Sequence, residues 1–281
     1  MSAQHNQPPL KIDIWYFSAT GNTARIAGVI KEEYVRLGAD ATLIDITPYT
    51  SRNAGVIPGS GDLVVLGLPV HSWRAPRVVR EWLATLQGHG KKIALFFTYG
   101  GFGIHPAHET TRSLLENQGF SVVASAEFCG SHTFNLGGWK AMEGRPDQSD
   151  LEIARAYAEQ VLCRFTGEDC RTLGEMERTS HSDEFLDSIE EFRFRILTQM
   201  PARQGSCTDC GRCVRCCPTG SMDPETGRAG KDSCIACLAC VVACPDHLIS
   251  INDMSESWSY KLRTEGVTEE EMRKKKSRFY L

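Results

Sequence analysis

Short apolar runs alternate with segments of helical periodicity through the first part of the chain. The apolar runs predict five strands, at Lys11–Phe17, Thr42–Ile46, Leu63–Pro69, Ile93–Thr98 and Phe120–Phe128. The periodic segments predict helices at Asn22–Leu37, Ala75–Leu86, Pro106–Gln118 and Ser149–Phe165. Strands that alternate with helices form parallel sheets covered on both faces. Residues 1–167 are therefore expected to form an α/β domain with a doubly wound, five-stranded parallel sheet.

The segment that follows, residues 168–204, breaks this alternation. It begins with a polar, irregular stretch, Gly167–Ser182, which we interpret as a linker. Asp183–Met200 then carries apolar residues at spacings of four, three and four, at Phe185, Ile189, Phe192 and Ile196. This spacing predicts an amphipathic helix that packs a second domain against the first. The last residues, 254–281, form a tail in which a further helix is expected.

Composition and charge narrow the class of protein. The 281 residues are 41% hydrophobic and 23% charged, which is ordinary for a soluble globular protein. No apolar run approaches the ~20 residues that a membrane-spanning helix needs. Met1–Pro9 also lacks the basic start and apolar stretch of a secretory signal, so we expect a cytoplasmic protein. A net charge of −4 argues against a general nucleic-acid binder.

The cysteines are concentrated in one short region. Of the 12 in the chain, nine lie between Cys207 and Cys244. Clustered cysteines in a chain without an export signal are typical of metal ligands rather than disulfides. They form two copies of one motif, Cys207-x2-Cys210-x2-Cys213-x3-Cys217-Pro218 and Cys234-x2-Cys237-x2-Cys240-x3-Cys244-Pro245. In this spacing three cysteines hold one [4Fe–4S] cluster and the fourth ligates the other cluster.

The repeat thus predicts two crossed sets of four ligands. One cluster takes Cys207, Cys210, Cys213 and Cys244, and the other takes Cys234, Cys237, Cys240 and Cys217. Cys216 is an alternative to Cys217, but only Cys217 keeps the spacing of Cys244 and precedes proline. A zinc site is a second alternative, although it leaves the repeat and both Cys-Pro pairs unexplained. Residues 205–253 resemble the bacterial two-cluster ferredoxin, which implies a small α+β domain.

The first turn between strand and helix has the composition of an anion site. It consists of Ser18, Ala19, Thr20, Gly21, Asn22 and Thr23. Backbone amides at a helix N-terminus bind anions, and hydroxyl groups add hydrogen bonds to phosphate oxygens. The turn lacks both the lysine of a Walker A loop and the Gly-x-Gly-x-x-Gly fingerprint of dinucleotide sites. It therefore suits a phosphomonoester, although a plain helix cap is the alternative.

Two more loops leave the same edge of the predicted sheet, where ligands of doubly wound folds bind. The first contains Pro69, Val70, His71, Ser72 and Trp73, and the second contains Thr98, Tyr99, Gly100, Gly101, Phe102 and Gly103. Together with the first turn they resemble the flavodoxin family, which implies noncovalently bound FMN with Trp73 and Tyr99 as ring contacts. His71 is the candidate for a proton donor. The segment Cys129–Gly144 matches nothing assignable and is expected to cover the flavin or face the second domain.

Both halves together resemble the flavodoxin–ferredoxin fusion family, found mainly in anaerobic bacteria and archaea. The resemblance implies an electron-transfer iron–sulfur flavoprotein that couples the one-electron steps of the clusters to the two-electron chemistry of FMN. Its partner would be a redox protein, such as a ferredoxin or a low-potential reductase. Two alternatives remain open: a reductase whose substrate binds over the flavin, and an iron–sulfur sensor or assembly protein. No side chain is assigned a catalytic role.

Overall fold

The computed structural model describes residues 8–174, 176 and 179–281, so that the start of the N-terminal stretch and three linker residues lie outside it. The first-domain strands are β1 (Lys11–Tyr16), β2 (Asp40–Asp45), β3 (Leu63–Pro69), β4 (Lys92–Tyr99) and β5 (Ser121–Cys129). They lie in the order β2-β1-β3-β4-β5, and all neighbouring pairs are parallel. The prediction of a doubly wound, five-stranded parallel sheet is confirmed, and this strand order is that of flavodoxin-like folds.

Four helices cover the two faces of this sheet. They are α1 (Asn22–Arg36), α2 (Arg77–Leu83), α3 (His105–Asn117) and α4 (Gln148–Thr166). Successive strand residues point to opposite faces, so Ile12 and Ile14 of β1 pack with α1 and α4, whereas Trp15 packs with α2. The Trp15 ring meets the Trp82 ring edge-on, with centroids 5.9 Å apart. The predicted helices are all present, with α2 two residues shorter at its start and three shorter at its end.

The packing helix comes next in the chain, and the cysteine domain that follows it contains only short elements. The helix is α5 (Asp183–Ile196), and the short elements are β6 (Ala202–Arg203), α6 (Arg212–Arg215), α7 (Ala239–Ala243) and β7 (Ile249–Ser250). Helix α5 ends four residues before the predicted Met200. The side-chain amide of Asn252 donates to the carbonyl of Ile196 at 3.0 Å and accepts from the amide of Gln199 at 3.0 Å. The cysteine domain thus terminates the helix that connects it to the sheet.

The tail returns to the first domain, which the sequence did not predict. It forms α8 (Ser255–Glu265), α9 (Glu269–Arg273) and β8 (Arg278–Tyr280). β8 adds a sixth, antiparallel strand beside β5. It is anchored by a buried network in which Arg278 Nε donates to Glu127 Oε1 at 2.8 Å and His108 lies between Glu127 and Ser125. No helix of the described residues is long and apolar enough to cross a bilayer.

Candidate functional site

The turn after β1 combines two hydroxyl groups that fix its shape with one that is free. Gly21 has a left-handed φ of 98°, and a Cβ built on it would meet nothing within 4 Å. The Ser18 hydroxyl accepts from Ala24 N at 3.1 Å, and the Thr23 hydroxyl pairs with that of Thr98 at 2.7 Å. These two side chains therefore fix the turn. The Thr20 hydroxyl makes no hydrogen bond with the described residues, which leaves it to bind a ligand.

The loop after β3 is a two-residue hairpin in a strained conformation. His71 and Arg74 pair through their backbones, with the His71 amide donating to the Arg74 carbonyl at 2.8 Å. Ser72 and Trp73 at its tip have φ values of 49° and 67°, a region that bulky residues rarely adopt. The turn projects the Trp73 indole against Gly103, where a Cβ would lie 2.8 Å from Nε1. Only glycine fits at that position of the neighbouring loop.

The three loops line one cleft. All the candidate residues of the three loops except Gly21 and Gly101 border it. It holds about 1120 Å³ of space free of protein atoms, including the part open to solvent. None of its described lining residues is acidic, whereas Arg193 and Lys261 are basic. The cleft therefore suits an anionic ligand.

Two histidines in the cleft are held in their neutral form. Burial, with Arg193 and His132 nearby, lowers the pKa of His71 to about 3. Burial also lowers the pKa of His132 to about 4, with a further contribution from Lys261. His71 Nδ1 is buried without a hydrogen-bond partner among the described residues. His71 thus offers a neutral ring nitrogen to a ligand rather than the proton of an imidazolium.

Sequence reasoning did not identify several residues that complete the cleft. Gly130–Phe134 and Trp139, from the unassigned segment, border it, so this segment does cover the cleft. The apolar stripe of α5 contributes Ile189, Phe192 and Ile196, together with Arg193. Lys261 of α8 and Ala236 of the cysteine domain close the remaining sides. The spacing of the apolar stripe predicted helix α5. It did not distinguish a helix that packs two domains together from one that forms the wall of a binding site.

A buried ion-pair network holds α5 over the cleft. Glu190 accepts a hydrogen bond from Arg74 Nη2 at 2.7 Å and forms an ion pair with Arg80 Nη1 at 2.7 Å. Arg74 also pairs with Asp187, and both Arg74 and Glu190 are only 5% exposed. Since Arg74 closes the hairpin that carries Trp73, the network fixes the hairpin and the covering helix together.

The two cysteine repeats have the same backbone conformation. The second residue after the first cysteine is left-handed in both, at Asp209 (φ 51°) and Ala236 (φ 53°). These residues donate their amides to the thiols of Cys207 at 3.3 Å and Cys234 at 3.4 Å. Amide donors to cysteine sulfur tune the potential of iron–sulfur clusters. The sequence repeat is therefore also a repeat of local geometry.

The four thiols of one predicted set share a single cavity, lined by Cys217, Cys234, Cys237 and Cys240. Burial raises the pKa of the Cys217 thiol, but hydrogen bonds with Ser221 and Thr219 outweigh this and hold it below the usual value. Burial raises the pKa of Cys216 to about 11, and its thiol faces the Cys213 carbonyl at 3.4 Å. Burial raises the pKa of Cys237 as well, to about 12, so pKa alone does not select the ligand. Cys217 is favoured because it lines the cavity with the three other thiols of its set, whereas Cys216 does not. The assignment of the cluster ligands remains a prediction. Among the described residues, no three His, Cys, Asp or Glu side chains are arranged to bind a single metal ion.

The two predicted clusters differ in their distance from the cleft. Ile235 to Ala239 of the second repeat are buried in the core shared with the sheet, and Ala236 borders the cleft. The first repeat lies at the surface, with Thr208, Asp209 and Arg212 exposed. We call the set of Cys217, Cys234, Cys237 and Cys240 the proximal set and the other the distal set.

Comparison with known proteins agrees with this architecture. Residues 150–259 match the family model of a 4Fe-4S dicluster domain, which confirms the prediction of two [4Fe–4S] clusters. The chain joins a flavodoxin-like domain to a two-cluster ferredoxin-like domain. No curated protein sequence matches it.

The similar solved structures match the first domain. A flavodoxin from the domain Archaea is 15% identical, with a TM-score of 0.41, over 56% of this chain and 99% of its own. Flavodoxin 2 from Bacillus cereus is 20% identical, with a TM-score of 0.43, over 55% and 99%. Rubredoxin oxygen:oxidoreductase from Desulfovibrio gigas is 18% identical, with a TM-score of 0.41, over 59% of this chain but 39% of its own. The fold assignment rests on the strand order itself.

Proposed function

We propose that this protein is an electron-transfer iron–sulfur flavoprotein in which FMN binds in the cleft and exchanges electrons with the proximal cluster. One observation carries the proposal: the loop between Cys234 and Cys237 reaches the cleft. Ala236 of this loop lines it, and the Ile235 carbonyl accepts from Arg193 Nη1 at 2.8 Å. A cluster held by this loop lies beside whatever the cleft contains.

The residues of the cleft fit FMN. The free Thr20 hydroxyl and the amides of the turn at the start of α1 would hold the phosphate. Trp73 and the backbone of Thr98–Gly103 would flank the flat ring, and His71 Nδ1 would face one of its polar atoms. The absence of acidic side chains among the described lining residues suits a ligand that carries phosphate. FMN accepts one or two electrons, whereas a single [4Fe–4S] cluster exchanges only one.

The two cluster sites give the relay an order. The exposed residues of the first repeat suit the distal set to a redox partner protein, and the loop of the second repeat borders the cleft. The electron would therefore pass from the partner to the distal cluster, then to the proximal cluster and the flavin, or in reverse. Thiolate ligands stay reduced in the cytoplasm, where we place the protein.

We favour a carrier over a reductase because the loop between Cys234 and Cys237 borders the cleft. The substrate of a reductase would have to enter through the part of the cleft that is open to solvent. A small-molecule substrate that enters the cleft would compete with the protein partner for electrons from the reduced flavin. Electrons would therefore both reach and leave the flavin through the clusters.

Anaerobic reconstitution followed by stopped-flow reduction tests this function. The protein should contain one FMN and about eight irons, the content of two four-iron clusters. A reduced ferredoxin should reduce the flavin quickly in the wild-type protein and slowly in Cys217→Ala, which lacks a proximal ligand. Cys170→Ala, at an exposed cysteine outside both repeats, is the control. Equal rates of flavin reduction in all three proteins would refute the relay.

A further inference from the structure

Arg193 connects the cleft to the proximal cluster loop. Its side chain lines the cleft, and its Nη1 donates to the Ile235 carbonyl between Cys234 and Cys237. It extends from α5, which belongs to neither the sheet nor the cysteine repeats. No other basic residue of the described part of the chain both borders the cleft and bonds to a cluster loop.

The positive charge of Arg193 is poorly compensated. Its Nε is buried and has no hydrogen-bond partner among the described residues. The carboxylate that acts on it, Glu190, is already paired with Arg74 and Arg80, so its other negative neighbours are the proximal ligands Cys234 and Cys237. Burial lowers the pKa of Arg193, as expected for a cation removed from water. A guanidinium nevertheless stays charged in proteins, so this position holds a cation that lacks a full counterion.

Lys261, the other cation of the cleft, is placed differently. Its Nζ pairs with Glu265 at 2.5 Å and lies 4.9 Å from the centre of the Phe102 ring. Its charge is therefore compensated within α8. Arg193 is the cation of the cleft that remains available to new negative charge.

We propose that Arg193 sets the electron affinity of the bound flavin and of the proximal cluster together. The inference rests on the proposed function. In the transfer step one electron leaves the reduced cluster, which is oxidised, and enters the flavin ring, which is reduced; no bond forms or breaks. The ring gains one negative charge in a buried site, and a neighbouring cation stabilises that charge more strongly there than in water. Arg193 acts through its charge and exchanges no electron itself.

Anaerobic redox titration of the reconstituted protein tests the role of Arg193. Flavin absorbance reports one potential, and electron paramagnetic resonance reports those of the clusters, with the proximal signal identified as the one lost in Cys217→Ala. Arg193→Gln should lower the reduction potentials of the flavin and of the proximal cluster by at least ~59 mV. This shift corresponds to a tenfold change in the one-electron equilibrium constant. The distal potential should stay unchanged. Arg193→Lys keeps the charge and should restore most of both potentials.

Arg195→Gln is the matched control, because it removes the same charge from an exposed position of the same helix. It should leave all three potentials unchanged. Equal shifts in Arg193→Gln and Arg195→Gln would overturn the inference, as would a failure of Arg193→Lys to restore them. A wild-type protein that holds no FMN would instead overturn the proposed function. In that case the proximal cluster alone tests the role of Arg193. An unchanged proximal potential in Arg193→Gln would refute that role.

Discussion

Removal of the Glu190 carboxylate should detach α5 from the cleft. Glu190 is 5% exposed and pairs with the guanidinium groups of Arg74 and Arg80, each at 2.7 Å. Breaking a buried pair from one side costs ~3–5 kcal/mol, because a charge is left without its partner. Arg74 keeps Asp187, so the lower end applies and we expect Glu190→Ala to destabilise the protein by about 3 kcal/mol.

Urea unfolding of the reconstituted protein measures this loss, and flavin fluorescence measures release from the cleft. Glu191→Ala, at the exposed neighbouring position, should change the free energy of unfolding by less than ~0.5 kcal/mol. Glu190→Ala should also release FMN faster, since α5 forms one wall of its site. Unfolding midpoints that coincide for the two variants would show that the network does not hold the helix, and unchanged flavin release would show that the helix does not retain the ligand.

Three further predictions concern the cofactors and pH. Cys217→Ala should lower the iron content from about eight to about four, whereas Cys216→Ala should leave it near eight; the reverse result, read by iron analysis, would exchange the two ligands. Thr20→Val should weaken FMN binding ~10–100-fold through loss of a hydrogen bond to a charged group, while riboflavin binding, titrated by fluorescence, changes less. His71 and His132 have folded-state pKa values of about 3 and about 4, below the unfolded value of ~6.5. Their contribution to stability is thus full above pH ~6.5 and decreases as pH falls toward these values. The urea midpoint of the wild-type protein should fall more between pH 7.5 and 5.5 than that of the double variant His71→Asn/His132→Asn, and parallel profiles would contradict the assignment.

The sequence predicts those parts of the fold that depend on regular periodicity. The central strands β3, β4 and β5 are apolar runs buried on both sides, whereas the edge strand β2 is only partly buried. The cysteine spacing identifies the clusters without any knowledge of the fold. Strand β8 was missed because its three residues are too few for a pattern, and because its pairing with β5 depends on Glu127, far away in sequence. Helix α8 was missed because its exposed surface leaves little apolar periodicity, and only Trp258 is buried.

The candidate site was predicted where single loops carry it and missed where distant segments meet. The first turn and the two later loops are each continuous in sequence, so composition alone points to them. Arg193 and Lys261 reach the cleft only because the linker and the tail fold back over the sheet. No local pattern distinguishes these two from the other basic residues of α5 and α8.

Substitutions in the strained hairpin at Ser72 and Trp73 should change the free energy of unfolding and the affinity for FMN independently. Both residues are left-handed, with φ of 49° and 67°, which costs ~1–2 kcal/mol for a residue with a Cβ. Trp73→Gly and Trp73→Ala both remove the indole ring, but only glycine also removes the strain. We therefore expect Trp73→Gly to be about 1 kcal/mol more stable than Trp73→Ala, opposite to the usual order of these residues.

Trp73→Gly and Trp73→Ala should lose the same affinity for FMN, because both lack the indole ring. Only their free energies of unfolding should differ, because these depend on the backbone conformation. Ser72→Gly completes the set: it relieves strain next to an intact Trp73 and should stabilise the protein by about 1 kcal/mol without weakening FMN binding. Urea unfolding and flavin titration on the same preparations measure both quantities. If Trp73→Ala were as stable as Trp73→Gly, the left-handed turn would not be strained. If Ser72→Gly bound FMN more weakly, the rigid hairpin would itself be needed to hold the indole against the ligand.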